Sequence, residues 1–442
     1  MGGKHLLLIE ENLRYCANWG VVMTTAVIGT GISGLACARQ LALADEPVVV
    51  FEAAQKIGGH TATIDVSTSS GDYAVDTGFI VYNDWTYPNF IALLNELQVV
   101  NQPTSMGFSV SDDLSGLEYA GNNLNTLFAQ RRNLLSPSFL SMVMEILRFN
   151  RQAIADLEAG NLSSGETLET YLTRHRFSDF FRRHYLISMA AAIWSANFRE
   201  ALNFPAEFFV RFFKNHGLLQ IGNRPQWRVL QGGSRSYLDP ITALYQDSIR
   251  VDSEVIAIER NPNGNKLRLH NGQEHKFDHV VIATHSDQAL AMLSDADSNE
   301  QDILKALPYS DNEVVLHTDE SLLPSNKRAW SSWNYRLRSN TDRATLTYNM
   351  NILQGLSAPE TFCVTLNDSD AIKPSSILGE YSYAHPQFTI EGIAAQARWN
   401  EINGPRNTFF CGAYWQNGFH EDGLSSGLRA ANALIAKLRA VA

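Results

Sequence analysis

Cysteine is scarce in this chain. Four occur in 442 residues, Cys16, Cys37, Cys363 and Cys411, and no two form a CxxC pair or match a zinc-ligand spacing. That excludes a disulfide scaffold and points to free thiols in a reducing compartment. Long apolar runs are also missing. No stretch approaches the roughly 20 apolar residues that span a bilayer. Leu6-Leu7-Leu8-Ile9 is cut off by Glu10 and Glu11, too soon for a signal-peptide core. Positive charge is in deficit, with 35 Lys+Arg against 46 Asp+Glu and a formal net charge of -11. A general nucleic-acid binder needs the opposite sign. There is no internal repeat, low-complexity tract, Walker loop, Gly-x-Ser-x-Gly elbow or metal-ligand cluster. The expectation is a soluble, cytoplasmic protein acting on a small-molecule or lipid substrate. It needs no metal and no nucleic acid, and any membrane contact is peripheral.

What is present is globular in composition, with 45% hydrophobic and 18% charged residues. The length predicts more than one lobe. Residues 1–22 read as an extension ahead of the first strand. Thr24 to Ile28 is that strand, a helix spans about Ser33 to Ala44, and Val48 to Phe51 is a second buried strand. From Tyr87 to Phe213 the spacing of Leu, Phe and Arg reads as mostly helical. After Arg250, three strands are predicted around Asn263-Gly264 and Asn271-Gly272, a dipeptide that favours hairpins. His279 to Thr284 reads as another buried strand. Val314 to Leu366 reads as a second sheet, Asn407 to Gly412 as a last strand, and Leu424 to Ala440 as a terminal helix.

Gly29-x-Gly31-x-x-Gly34 lies between the first strand and the first helix. In such a fingerprint the first glycine allows the tight turn. The second lets a pyrophosphate approach the backbone, and the third lets helix and strand pack closely. The open N–H groups of the helix start, around Thr30, Ile32 and Ser33, then face phosphate. Glu52, with Ala53 behind it, ends the second strand, where a carboxylate accepts ribose hydroxyls and repels a 2′-phosphate. The ligand is therefore FAD or NAD rather than NADP. A second turn, Gly58-Gly59-His60-Thr61, follows at once. It lets backbone approach a longer cofactor again, which favours FAD.

Glu52 followed by Gly58-Gly59-His60, and then Asp76-Thr77-Gly78-Phe79, resembles the flavin amine oxidase, phytoene desaturase and protoporphyrinogen oxidase superfamily. The far end fits as well. A strand ending at Gly412 precedes Gly418-Phe419-His420-Glu421-Asp422-Gly423, which opens a helix, although Gly423 to Gly427 is one residue shorter than in typical amine oxidases. The resemblance implies that Gly412, Asp422 and Gly423 close over flavin, that the helix dipole faces its pyrimidine edge, and that the Val255 backbone meets adenine. Leu316 to Asp319, Trp330 to Tyr335, Tyr348 to Asn351 and Gly418 to Gly423 are similar to a narrower bacterial family. Its members are labelled predicted NAD/FAD-binding proteins and accompany cyclopropane-fatty-acid-synthase-type methyltransferases, which hints at a lipid acyl substrate.

The implied fold class is α/β, with a discontinuous Rossmann-like FAD domain and an α+β substrate domain. Residues 23–90, 225–290 and 400–442 are assigned to the first, and 91–224 and 291–399 to the second. With one fingerprint only, flavin is expected to be reduced by substrate directly. His420 and Glu421, beside the presumed flavin helix, and His385 are the catalytic candidates, and each also fits a structural capping role. Trp333, Asn334, Tyr335 and Tyr348 are candidate substrate contacts or ordinary sheet core. Glu207 to Lys214 and Phe180 to Tyr185 mix aromatic and basic residues, as helices of the substrate lobe or as an anionic-membrane contact do. The leading reading is an FAD-dependent oxidoreductase taking hydride from an apolar, fatty-acyl-like substrate. A flavin amine oxidase or isomerase is the alternative within the fold. A non-catalytic binding protein of the GDP-dissociation-inhibitor type is the alternative outside it.

Overall fold

The computed structural model describes residues 24–163, 165–261, 264–338 and 345–441. The expected extension at 1–22 lies outside them. Strand β1 (Thr25–Ile28), helix α1 (Ile32–Leu43) and strand β2 (Val48–Phe51) open the fold. The hairpin β3 (Thr63–Thr68) and β4 (Gly71–Asp76) follows, then α2 (Pro88–Glu96). Strands β5 (Phe108–Asp112) and β6 (Leu117–Ala120) precede a helical run that includes α3 (Leu124–Leu127), α4 (Pro137–Glu158), α5 (Ile187–Trp194) and α6 (Ala206–Asn215). The chain returns through β7 (Ile249–Arg250), β8 (Val255–Asn261), β9 (Gly264–Leu269), β10 (Glu274–Phe277), β11 (His279–Ile282) and α7 (Ser286–Met292). It then forms β12 (Tyr309–His317), β13 (Trp333–Leu337), β14 (Thr345–Asn349), β15 (Cys363–Leu366) and β16 (Ile377–Pro386). Strand β17 (Thr408–Phe410) and helix α8 (His420–Val441) end it.

Two sheets organise these elements. The first is parallel, in the order β7-β2-β1-β11-β17. Its strands come from residues 25–51, 249–282 and 408–410, so this sheet is discontinuous in sequence. Strands β1 and β11 are buried at every position. Helices or loops cover both faces, which is why these segments read as unbroken apolar runs rather than alternating ones. The second sheet has seven strands in the order β16-β12-β15-β14-β13-β5-β6, antiparallel except for the β13–β5 pair. No helix among the described residues is long and apolar enough to cross a membrane.

Three local expectations change. The stretch from Tyr87 to Phe213 is not helical throughout. Residues 101–103, 108–112 and 117–120 are strands, and β5 pairs in parallel with β13 more than 200 residues later. Such a partner leaves no local period to read. In the meander, Asn263 lies outside the described residues. Asn271 keeps negative φ and only Gly272 turns left-handed, at φ +86°. Leu269 N donates to Gln273 O, and Gly272 N to Leu269 O, closing a three-residue loop with a bulge rather than a two-residue turn. The terminal helix starts at His420, four residues earlier than expected, because the Asp422 carboxylate caps it by accepting from Phe419 N at 2.8 Å.

Helix α8 packs along α1, joining the two ends of the described chain. Glycines make the approach possible. A Cβ on Gly427 would sit 2.1 Å from the Ser33 carbonyl oxygen, and one on Gly34 would sit 2.0 Å from that of Gly29. Asp76 ties the lobes from another side. It accepts from Thr63 Oγ1 (2.6 Å), Ser234 N (2.8 Å) and Gln354 Nε2 (2.9 Å), and burial pushes its pKa up to about 6.

Gly427→Ala gains about 1 kcal/mol of helix propensity but forces a methyl onto backbone, at a cost of roughly 1–3 kcal/mol. The expected outcome is a lower melting temperature despite the better helix former. Thermal unfolding checks it, and an unchanged or raised Tm contradicts the packing.

Candidate active site

A cavity of about 690 Å3 is lined by residues of both sheets and of the start of α8. At one end the first glycine turn meets Glu52. Gly29 holds φ +100°, and a Cβ on Gly31 would meet nothing within 4 Å, pointing into open cavity. No side chain caps α1, so its first amides, at Ile32 and Ser33, are left for a ligand. Thr30 joins the two glycine turns. Its hydroxyl donates to Glu52 Oε2 and accepts from Gly58 N at 3.2 Å, while Ala54 N donates to Glu52 Oε1 at 2.9 Å. Ser253 N donates to Glu52 O, bringing Val255 and Ile256 to the same end, and Met292 lines the cavity from the helix packed on β8. An anion cradle, a ribose-facing carboxylate and nearby apolar surface suit the adenosine diphosphate half of FAD.

The other end is built around imidazoles. His60, His285, His385 and His420 all line the cavity. The His60 ring lies 5.8 Å from His385 and 5.9 Å from His285. Burial, and then the neighbouring His385 and His285, lower the His60 pKa to about 3. Burial lowers His385 to about 4 and His420 to about 3, and it lowers His285 as well. These rings are neutral at physiological pH.

Their hydrogen bonds fix what each ring does. His60 Nε2 donates to Ala384 O at 3.1 Å. The Asn312 amide donates to the carbonyls of Ser310 and Tyr383 and accepts from Asn367 Nδ2, which sets its orientation. Its Nδ2, whose hydrogens face those two carbonyls, lies 3.3 Å from His385 Nδ1, and the Ser195 hydroxyl lies 3.0 Å from the same nitrogen. The ring is held at Nδ1, which leaves Nε2 as its free nitrogen. Ser195 reaches the ring from a left-handed turn, φ +52°, just after Trp194. His420 stacks on Phe79 at 3.7 Å and 6°, with Nε2 at 3.0 Å from the Tyr237 hydroxyl, which also meets Thr61 Oγ1 at 2.5 Å.

Most of the residues singled out in the sequence meet at this cavity: Gly29 to Ser33, Glu52, Ala53, Gly58 to Thr61, Gly78, Phe79, Val255, Gly412, His420, His385, Trp333 and Tyr348. Six do not. Gly34 packs helix on strand. Glu421 turns away and caps α2, accepting from Phe90 N (2.8 Å) and Asn89 N (3.0 Å), so it is not poised for proton transfer. Asp422 caps its own helix. A Cβ on Gly423 would press on Ile32 and Ser33. Asn334 is buried and bonded to Ser109, Ser331 and Thr347. Tyr335 packs in the core under the helices. Ile193, Trp194, Trp227, His285 and Tyr309 line the cavity without having been singled out. His285 carried a usable signal, since it follows the carboxyl end of a parallel strand, where open α/β sheets bind ligands. The others come from strand starts, loops and helix ends with no local signature.

Imidazole proton resonances checked over a pH titration are expected to stay flat for His60, His385 and His420 from pH 8 to 5.5, because each ring is held neutral well below its ordinary pKa. Protonation of any of them at pH 6 contradicts the arrangement.

A family model described as flavin containing amine oxidoreductase matches residues 32–351. Solved structures share the fold. Cyclohexylamine oxidase from Brevibacterium oxydans IH-35A is 18% identical with a TM-score of 0.66, over 94% of this chain and 99% of that one. Putrescine oxidase is 15% identical with a TM-score of 0.65, over 94% and 99%. A CLA-producing fatty acid isomerase from P. acnes is 13% identical with a TM-score of 0.67, over 93% and 98%. The matched family and the double glycine turn around Glu52 agree: the chain belongs to the flavin-containing amine oxidoreductases and is an FAD-dependent oxidoreductase.

Proposed function

We propose that the substrate is uncharged and largely apolar, a fatty-acyl chain or a modified one, and that it is oxidised at carbon. Bound flavin supplies the hydride acceptor. The observation that carries the reading is the charge of the cavity wall. Among the described residues that line it there is no lysine, arginine or aspartate. Its carboxylates, Glu52 and Glu254, belong to the end where Ser253 meets Glu52. The imidazole end has neutral rings beside Ile193, Trp194, Trp333, Tyr348 and Leu353. A permanently charged headgroup there has no counter-ion, and burying an unpaired charge is costly. An alkyl chain has aromatic and aliphatic surface to lie on.

The residues have distinct parts in this reading. Trp333 and Tyr348, on neighbouring strands with rings 5.2 Å apart, flank the chain. His385 hydrogen-bonds through Nε2 to a polar group of the substrate, and His420, held by Tyr237 and Phe79, excludes water from the reacting end. The fold likeness to a fatty acid isomerase supports an acyl chain entering a cavity of this kind.

The purified protein is expected to show flavin absorbance bands that bleach on anaerobic mixing with an acyl-lipid extract and do not bleach with primary amines. Bleaching by amines alone overturns the substrate class. Migration of a double bond without net bleaching makes the enzyme an isomerase. Trp333→Ala is expected to retain flavin while raising KM for a long-chain substrate about tenfold, the loss of roughly 1.4 kcal/mol of aromatic contact. An unchanged KM removes Trp333 from the substrate path.

A further inference from the structure

The two aromatic-basic stretches that resembled membrane contacts face inward. Phe181, Phe209 and Phe213 are fully buried, and Arg211 pairs with Glu207. Five exposed apolar side chains of the helical lobe lie elsewhere, between residues 124 and 144. Leu135 keeps 87% of its surface exposed, Leu124 74% and Met144 64%, with Leu134 and Leu140 also exposed. Ser136 caps α4 and Pro137 opens it, so Leu134 and Leu135 stand at its entry. Leu140 and Met144 follow one turn apart on one face. Phe128, at the end of α3, packs on Phe139 of α4 and holds the Leu124 helix beside them. Soluble surfaces scatter single leucines, but a cluster of this kind marks an interaction site.

The charge around this cluster runs against that of the whole protein. Residues 119–144 contain no aspartate or glutamate, in a chain of net charge -11. They contain Arg131 and Arg132. Arg131 bonds the neutral oxygens of Asn125 and Phe128, and Arg132 those of Gly116 and Gln130. Neither guanidinium has a carboxylate partner among the described residues. Of the acids that flank this window, Asp113 is paired with Arg336 and Glu145 with Arg148, and Glu118 is turned onto Ser325 and Asn326.

We propose that this face docks on a bilayer containing anionic lipid. The leucines and Met144 enter the acyl boundary, and Arg131 and Arg132 meet phosphate. The surface stands apart from the substrate reading, and its test reads binding rather than turnover. The full-length holoenzyme is sedimented with vesicles of phosphatidylcholine alone and of phosphatidylcholine mixed with phosphatidylglycerol. Binding is expected to be about tenfold or more stronger on the anionic vesicles and to weaken at high salt. Leu135→Glu with Met144→Glu is expected to lower it at least about tenfold with melting temperature and flavin bands unchanged. Arg131→Gln with Arg132→Gln is expected to remove the preference for anionic lipid. Equal binding by wild type and the Leu135/Met144 variant overturns the proposal, as does no binding to anionic vesicles. A lipid-free dimer that this variant dissociates makes the face a protein interface and overturns it too.

Discussion

The site depends on the contact between α8 and α1. Without it the glycine turn at residues 29–34 faces open solvent, and His420 has no cavity to line. The contact is a backbone approach, not a side-chain interlock: Gly427 lies against the Ser33 carbonyl, and Gly423 against Ile32 and Ser33. Ser426 adds a hydrogen bond to Gly412 N at 3.1 Å, fixing the end of β17 to the same helix. Two segments nearly 400 residues apart are thus locked by the absence of side chains, and the cavity forms where they meet.

Within the cavity, electrostatics divides the space. At the Glu52 end the wall supplies a carboxylate and open helix amides, which suit phosphate and ribose. At the imidazole end, burial keeps four histidines uncharged. Desolvation is the largest cause for each, so the neutral state follows from the fold rather than from one partner. An uncharged chamber of this kind suits the apolar substrate proposed above.

The cofactor half of the site was legible because its requirements are local. A tight turn, a close phosphate approach and a helix start need glycine at set spacings, and a ribose needs an acid at the next strand's end. Gly29, Gly31, Glu52, Gly58 and Gly59 satisfy these needs within about thirty residues, and all line the cavity. Gly34 packs helix on strand, the part its place in the fingerprint implies. The same logic placed Gly423 near the ligand, but its missing Cβ serves packing, and sequence spacing does not separate a glycine facing a ligand from one facing a backbone. Glu421 and Asp422 read as chemistry for a similar reason, since acids beside a helix start serve as caps as readily as catalysts.

The sequence by itself determined the parallel-sheet core, the dinucleotide turn and the class of cofactor, because unbroken apolar strands and fixed glycine spacings carry those needs within short windows. Only the tertiary structure decided that residues 108–120 join a sheet with strands beyond residue 309, that Asn312 and Ser195 meet the His385 ring, and that Trp194 and His285 line the same space. These are meetings of distant segments. They depend on the geometry of whole layers, and no short window of residues records it.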